Sequence, residues 1–233
     1  MMKKFILAVF ALVPVLAFAA GPSLPLDSAN NDLADKESLK RGFKTYINYC
    51  LGCHQLQYQR YNRTFTDLGI EEADGIENYM YTGEKVGDHI TNTMPKKEAA
   101  AWFGTAPPDL TLEARLRSPD WIYTYLRSFY IDESRPFGVN NTIFKDVGMP
   151  HVLQDLQGVS SIDESGKLTP AQGGSLTAEE YDEVIRDLTN FLEYVGEPNK
   201  LERKALGVKV LIFIFIFFIL AYLLKKEYWK DVH

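Results

Sequence analysis

The chemically distinctive residues of this 233-residue chain lie in one short stretch, CLGCH, which runs from Cys50 to His54 and holds the only two cysteines. Two thiols at this spacing can form a redox dithiol, half of a zinc site or an attachment point for haem. A zinc site needs four ligands, but there is no second Cys pair, and the other histidines are scattered, at His89, His151 and His233. A thioredoxin-like dithiol expects a strand and a βαβ setting, whereas here the pattern before the motif is that of an amphipathic helix.

Covalent haem attachment accounts for all three reactive side chains of this stretch. Cys-x-x-Cys-His is the attachment signature of c-type haem. Residues i, i+3 and i+4 share one face of a helical turn, so Cys50 and Cys53 can form thioethers to the two vinyl groups while His54 is presented to the iron. The sequence therefore predicts one haem c, attached through Cys50 and Cys53, with His54 as the fifth iron ligand.

The sixth iron ligand decides what such a haem does. An open site allows small-molecule chemistry, whereas Met opposite His gives an electron carrier of high potential. Outside the N-terminal apolar segment the methionines are Met80, Met94 and Met149. Met94 and Met149 each precede a proline, which disfavours helical backbone at the Met and suits a loop across a haem face. Spacing leaves these two as equal candidates, and His151 is a possible rival.

The N-terminus has the three regions of a secretory signal peptide. A basic MMKK precedes a short apolar run and the small-x-small sequence AFA at residues 17–19. A mitochondrial transit peptide would be rich in Arg and Ser, but the first arginine of this chain is Arg41. We therefore predict a signal peptide over residues 1–19, followed by a haem c domain over residues 20–200 in a bacterial periplasm.

The C-terminal segment of residues 205–224 is long and apolar enough to span a bilayer. It contains 20 residues interrupted only by Lys209, which matches the length that the hydrocarbon core requires. Lysines flank both ends, so the positive-inside rule gives no orientation, but the signal peptide does. We predict a transmembrane anchor over residues 201–227 in the inner membrane and a short cytoplasmic tail over residues 228–233.

The charge of the chain is unevenly distributed. Residues 20–200 hold 17 basic and 28 acidic side chains, a net charge near −11. This sign disfavours nucleic-acid binding. Acidic runs at residues 71–77 and 179–184 are typical of a solvated face, or they form a field that steers a basic protein partner.

Three helices of the exported part can be read from their ends and apolar stripes. One starts at Asp35 and leads into the Cys motif. Ser118 caps a second helix, with Pro119 at its first position. Thr177 and Glu180 form a capping box for a third.

The segments between these helices are irregular, over residues 58–108 and again over residues 131–176. No stretch shows sustained strand alternation. Loops of this length do not normally cohere in a compact domain, and no disulfide is available to order them, so we expect the haem to do so. The predicted fold is mainly α, a cytochrome c-like haem domain with long loops and one C-terminal transmembrane helix.

Four blocks of the sequence carry a family resemblance. They are KRGFKTYINYCLGCHQLQYQRY, then APPDLT with the pair Arg115 and Arg117, then GMP, then FLEYVGEPNKLERKALGVKV before the C-terminal span. In this order they resemble cytochrome c1, the haem subunit of the cytochrome bc1 complex. The resemblance extends from about residue 35 to the C-terminus.

The resemblance implies roles for individual residues. It implies that Met149 is the sixth ligand and that Arg117, with Trp121 near it, contacts a haem propionate. It also implies that Pro108, or its neighbour Pro107, lies on the side of the ligating histidine. There a backbone carbonyl can orient the second ring nitrogen.

The resemblance also implies a function. The chain would carry single electrons from the Rieske iron–sulfur protein to a soluble, basic cytochrome c, with its anchor docked on cytochrome b, and would be no enzyme on its own. Two alternatives stay open. One is a haem enzyme or sensor with an open sixth site, and the other is an anchored c-type subunit of another electron-transfer chain.

Overall fold

The helix that leads into CLGCH begins where the sequence predicts and changes from α-helical to π-helical geometry before the motif. In the computed structural model, which describes residues 25–231, the side chain of Asp35 accepts hydrogen bonds from two N–H groups in the first turn of α1 (Lys36–Thr45). A π-helical segment, Tyr46–Cys50, follows and is closed by a hydrogen bond from the N–H of Leu51 to the carbonyl of Tyr46. Such wide turns are frequent at functional sites, and this one ends at the first cysteine.

Short elements make up most of the remaining fold. Eight further α-helices lie in the described part of the chain: α2 (Tyr61–Leu68), α3 (Glu72–Tyr79), α4 (Lys96–Phe103), α5 (Glu113–Leu116), α6 (Pro119–Arg127), α7 (Gln154–Gln157), α8 (Ala178–Gly196) and α9 (Lys200–Tyr228). Within residues 25–231 the strands form three antiparallel pairs: β1 (Leu56–Arg60) with β2 (His89–Ile90), β3 (Phe129–Ile131) with β4 (Val139–Asn141), and β5 (Gly158–Val159) with β6 (Gln172–Gly173). The fold is mainly α, as the sequence predicts.

Residues 58–108 are more regular than their sequence suggests. The prediction of an irregular segment was wrong there, because α2, α3 and α4 each have eight residues. A helix of about two turns is too short for a 3.6-residue period to stand out. Gly69 and Gly104 end α2 and α4 with left-handed backbone, which glycine adopts at little cost.

The other two predicted helix starts are confirmed. The hydroxyl of Ser118 accepts the N–H of Trp121, and Pro119 occupies the first position of α6. Thr177 and Glu180 form a reciprocal capping box at the start of α8. These local signals were readable because a cap involves only residues that are three positions apart.

The close contact of α1 with α8 forms the centre of the core. A Cβ at Gly42 would lie 2.0 Å from the carbonyl oxygen of Asp187, so only glycine allows the two backbones to approach this closely. Beside it, the rings of Phe43 and Phe191 stack with centroids 5.0 Å apart. Arg41 donates to both carboxylate oxygens of Asp187, which compensates a buried charge. This contact fixes α1 and therefore the cysteine motif that follows it.

The C-terminal helix stands apart from the core. α9 has 29 residues, and its most apolar stretch is entirely exposed, so its length and composition are those of a membrane span. Residues 197–199 separate it from α8, and ion pairs of Lys200 with Glu193 and of Arg203 with Glu197 cross this break. The predicted signal peptide lies outside the described residues.

The α1–α8 contact leads to a stability prediction. Gly42→Ala should lower the free energy of unfolding by about 3 kcal/mol, because the added methyl group collides with backbone that cannot move freely. Gly87→Ala is the matched control, because no atom lies within 4 Å of its added Cβ; it should change stability by less than about 0.5 kcal/mol. Urea denaturation of the purified chain, followed by circular dichroism, measures both, and equal losses would contradict the account.

Candidate haem site

The three residues of the attachment motif lie on one tight turn. The carbonyl oxygen of Cys50 accepts hydrogen bonds from the N–H groups of Cys53 and His54, at 3.0 and 2.8 Å. Both cysteines are free thiols, with Cys50 buried and Cys53 partly exposed. Burial raises the pKa of Cys50 to about 12, whereas a redox-active thiol needs a lowered pKa. The turn therefore favours attachment of a group over dithiol chemistry.

His54 is buried and held from two directions. Its ring nitrogen Nδ1 lies 2.8 Å from the carbonyl oxygen of Pro108, and its own carbonyl accepts the hydroxyl of Tyr46 at 2.6 Å. A carbonyl can only accept, so Nδ1 carries the proton and Nε2 keeps its lone pair. Burial lowers the pKa of His54, which keeps the ring neutral. A neutral imidazole with a free Nε2 is a metal ligand in its binding form.

Met149 lies in the loop between β4 and α7, held by contacts on two sides. Its Sδ accepts a hydrogen bond from the hydroxyl of Tyr125 on α6 at 3.4 Å. The preceding Gly148 packs against the end of α4, where a Cβ would lie 2.6 Å from the carbonyl oxygen of Phe103. The half-buried thioether therefore has a defined place, although its loop has no regular secondary structure.

Two buried asparagines at the end of β4 organise the approach to this loop. Asn141 donates through its amide to the carbonyl of Tyr125 at 2.8 Å and accepts N–H groups from the next turn. Asn140 accepts the N–H of Asp146 at 2.9 Å. Side-chain amides here replace the backbone bonds that a regular element would supply.

Arg117 precedes α6, and its side chain contacts Trp121 in the first turn of that helix. The Cζ of Arg117 lies 4.5 Å from the centroid of the Trp121 ring and 5.4 Å from that of Phe144. Trp121 in turn stacks on Tyr125, with centroids 4.9 Å apart. The only ion pair of Arg117 within residues 25–231 is a long one, 3.7 Å to Glu113. The guanidinium is fixed by rings and retains unused N–H donors.

The rival iron ligands have different surroundings. Met94 lines a cavity of about 160 Å³ together with Cys53 and Pro108, so it lies on the Nδ1 side of His54. His151 stacks on Phe129, with centroids 4.8 Å apart, and burial lowers its pKa to about 4. Among the described residues no group of three or more His, Cys, Asp or Glu side chains fits a metal ion.

The residues present fit a haem c by the chemistry of their donors. The chain offers two free thiols on one turn, an imidazole Nε2 and a thioether sulfur. His and Met are one of the known axial pairs of haem iron.

Sequence reasoning did not find the contact of Tyr125 with Met149 or the roles of Asn140 and Asn141. An Asn-Asn pair is a turn signal that could have indicated local side-chain to backbone bonds. The contact of Tyr125 depends on how a helix and a loop pack, which no local pattern reports.

Comparisons with known proteins give one consistent family. The profile of the Cytochrome C1 family matches residues 29–232. A cytochrome c1 of Allochromatium vinosum is 53% identical over the full length of both chains. A protein of Nitrosomonas europaea called ammonia monooxygenase gamma subunit is 48% identical over 100% of this chain and 99% of its own. A Bradyrhizobium diazoefficiens protein called cytochrome b/c1 is 28% identical over 85% of this chain and 34% of its own length.

The match covers both the haem motif and the C-terminal helix, and the 53% identity extends over the whole chain. The chain belongs to the cytochrome c1 family, the haem subunits of cytochrome bc1 complexes, and carries one covalently bound haem c.

Proposed function

We propose that this subunit takes single electrons from a Rieske iron–sulfur protein and passes them to a soluble, basic cytochrome c. The observation that carries the proposal is the state of His54, whose Nδ1 is bound to the carbonyl of Pro108 while its Nε2 has no hydrogen-bond partner among residues 25–231. Haem iron supplies one-electron transfer between its ferric and ferrous states when it is held by two axial ligands. The protein supplies ligands, orientation and exclusion of water.

The proposed axial ligands are His54 and Met149. The proton on Nδ1 leaves Nε2 of His54 as the only ring nitrogen that can bind iron. Met149 is supported by its contact with Tyr125 of α6, whereas Met94 lines the cavity beside Pro108. His151, whose ring stacks on Phe129 and whose buried Nε2 has no hydrogen-bond partner within the described residues, is the alternative ligand.

Cys50 and Cys53 are the proposed attachment points, and Arg117 the proposed partner of a haem propionate. A guanidinium has five N–H donors in a planar fork that matches a carboxylate. Because Trp121 and Phe144 hold this guanidinium by its face, its edge stays available for a carboxylate. Trp121 thus has an indirect role, as a support for Arg117.

The proposed topology places residues 20–200 in the periplasm, residues 201–227 in the inner membrane and residues 228–233 in the cytoplasm. It rests on the secretory pattern of residues 1–19 and on the length of α9. The exposed surface of α9 is the proposed contact with cytochrome b. The name cytochrome b/c1 of the Bradyrhizobium relative supports this pairing.

One relative supports a second candidate function. The protein called ammonia monooxygenase gamma subunit is 48% identical over nearly the whole of both chains. The second candidate is therefore an anchored c-type subunit that serves a different oxidising complex. Both candidates use the same haem site, so only the partner proteins distinguish them.

The proposed docking site for a basic acceptor is the acidic end of α3. Glu71, Glu72 and Glu77 are exposed, and none of them forms an ion pair with another residue in the range 25–231. In the second acidic run Asp182 is paired with Arg127 and Glu183 with Arg41, which leaves fewer unpaired charges there. Unpaired exposed charge contributes most to long-range steering.

Affinity purification can identify the proteins with which this chain assembles. The full chain, tagged at its C-terminus and extracted from native membranes in mild detergent, should bring down cytochrome b and a Rieske protein in equal amounts, identified by mass spectrometry. Recovery of a monooxygenase without cytochrome b would instead support the second candidate.

The sixth ligand can be tested by substitution. Met149→Leu in the haem-loaded chain should abolish the Met–iron charge-transfer band of the oxidised form and allow the reduced form to bind CO, because the thioether is lost. Met94→Leu is the matched control and should leave both properties unchanged. A charge-transfer band that persists in Met149→Leu would contradict the assignment of Met149 as sixth ligand. Ready CO binding by the reduced wild type would instead favour a haem enzyme or sensor.

The acceptor site can be tested by charge reversal. Glu71→Lys with Glu72→Lys should slow electron transfer to a basic cytochrome c about tenfold at low ionic strength, because steering is lost. Glu133→Lys with Glu164→Lys, which changes two exposed acidic residues outside both acidic runs, is the control. The rate of electron transfer from the wild type, measured by stopped flow, should fall with added salt because the charges are screened. A rate that does not depend on salt would contradict electrostatic steering.

A further inference from the structure

The hydroxyl of Tyr125 makes a contact that the family assignment does not explain. It lies 3.4 Å from Sδ of Met149 and donates a hydrogen bond to it. This is the only hydrogen bond of that hydroxyl within the described residues. A thioether is a weak acceptor, and a buried phenol usually pairs with a stronger one. The pairing therefore points to a role at the sulfur.

The ring of Tyr125 is fixed by aromatic neighbours on several sides. It stacks on Trp121, with centroids 4.9 Å apart and planes 11° from parallel. The rings of Phe129 and Phe144 contact it edge to face, with centroids 5.2 and 6.4 Å from its own. The amide of Asn141 anchors its backbone carbonyl at 2.8 Å. The hydroxyl therefore has a set position, and Met149 has to adapt to it.

A fixed donor at this sulfur has two chemical effects. A Met side chain has three rotatable bonds and many accessible conformations, and a hydrogen bond to Sδ selects among them. A thioether sulfur has two lone pairs, so one can accept the hydroxyl while the other binds a metal. The hydrogen bond also withdraws electron density from the sulfur. A ligand that donates less strongly stabilises ferric iron less, and the reduction potential rises.

We propose that Tyr125 is a positioning residue for the iron site: its hydroxyl orients the thioether of Met149 and raises the reduction potential that this ligand sets. The proposal rests on the proposed role of Met149 as sixth ligand. Trp121 then supports two residues of the site, because its ring contacts the guanidinium of Arg117 and also stacks on the ring of Tyr125.

Tyr125→Phe in the haem-loaded full chain tests the proposal, because it removes the hydroxyl and keeps the ring. The midpoint potential should fall, with about a fivefold shift of the oxidised-to-reduced ratio toward the oxidised form at a fixed applied potential. That size is the upper limit for the loss of one hydrogen bond, because only the part of its energy that differs between the two oxidation states changes the potential. The Met–iron charge-transfer band should move but persist, since the ligand is still present.

Tyr181→Phe is the matched control. The hydroxyl of Tyr181 is also buried and donates to the carbonyl of Leu126 at 2.9 Å. Its loss should cost comparable stability without moving the potential or the band. Equal covalent haem content per chain shows that both variants fold and mature.

The outcomes separate this inference from the assignment of the ligand. If Met149→Leu abolishes the band while Tyr125→Phe shifts the potential no more than Tyr181→Phe does, the role of Tyr125 is overturned and the ligand stands. If Met149→Leu leaves the band intact, both the assignment of Met149 as ligand and the role of Tyr125 are wrong. A larger shift in Tyr125→Phe alone supports the proposal.

Discussion

The hydrogen bond between Nδ1 of His54 and the carbonyl of Pro108 is the interaction on which the rest of the site depends. It joins residues that are 54 positions apart and fixes both the tautomer and the direction of the imidazole. Because His54 follows Cys53 directly on one turn, the same bond aligns the attachment points with the ligand. Burial then keeps the ring neutral, so no proton competes with iron for Nε2.

The part of the site around Met149 is built from side chains more than from regular backbone. Asn140 and Asn141 hold the turn after β4, and Gly148 lets the next loop pack on α4. Tyr125 then reaches the thioether of Met149. A few specific side-chain contacts therefore hold this loop, since both cysteines are free thiols.

The sequence predicts this protein well where the physics is local. The attachment motif, the caps at Ser118 and Thr177, and the apolar helix α9 all depend on residues close together in the chain. The short helices of residues 58–108 were missed because two turns give too little periodicity. Spacing could not separate Met94 from Met149, and only the family resemblance did so. The contact of Tyr125 with Met149 depends on packing between a helix and a distant loop.

A structure of the haem-loaded complex, determined by cryo-electron microscopy, tests the central claim most directly. We expect iron bound to Nε2 of His54 and to Sδ of Met149, with Nδ1 still bonded to the carbonyl of Pro108. Iron bound by Met94 or His151, or left open on the sixth side, would contradict the account.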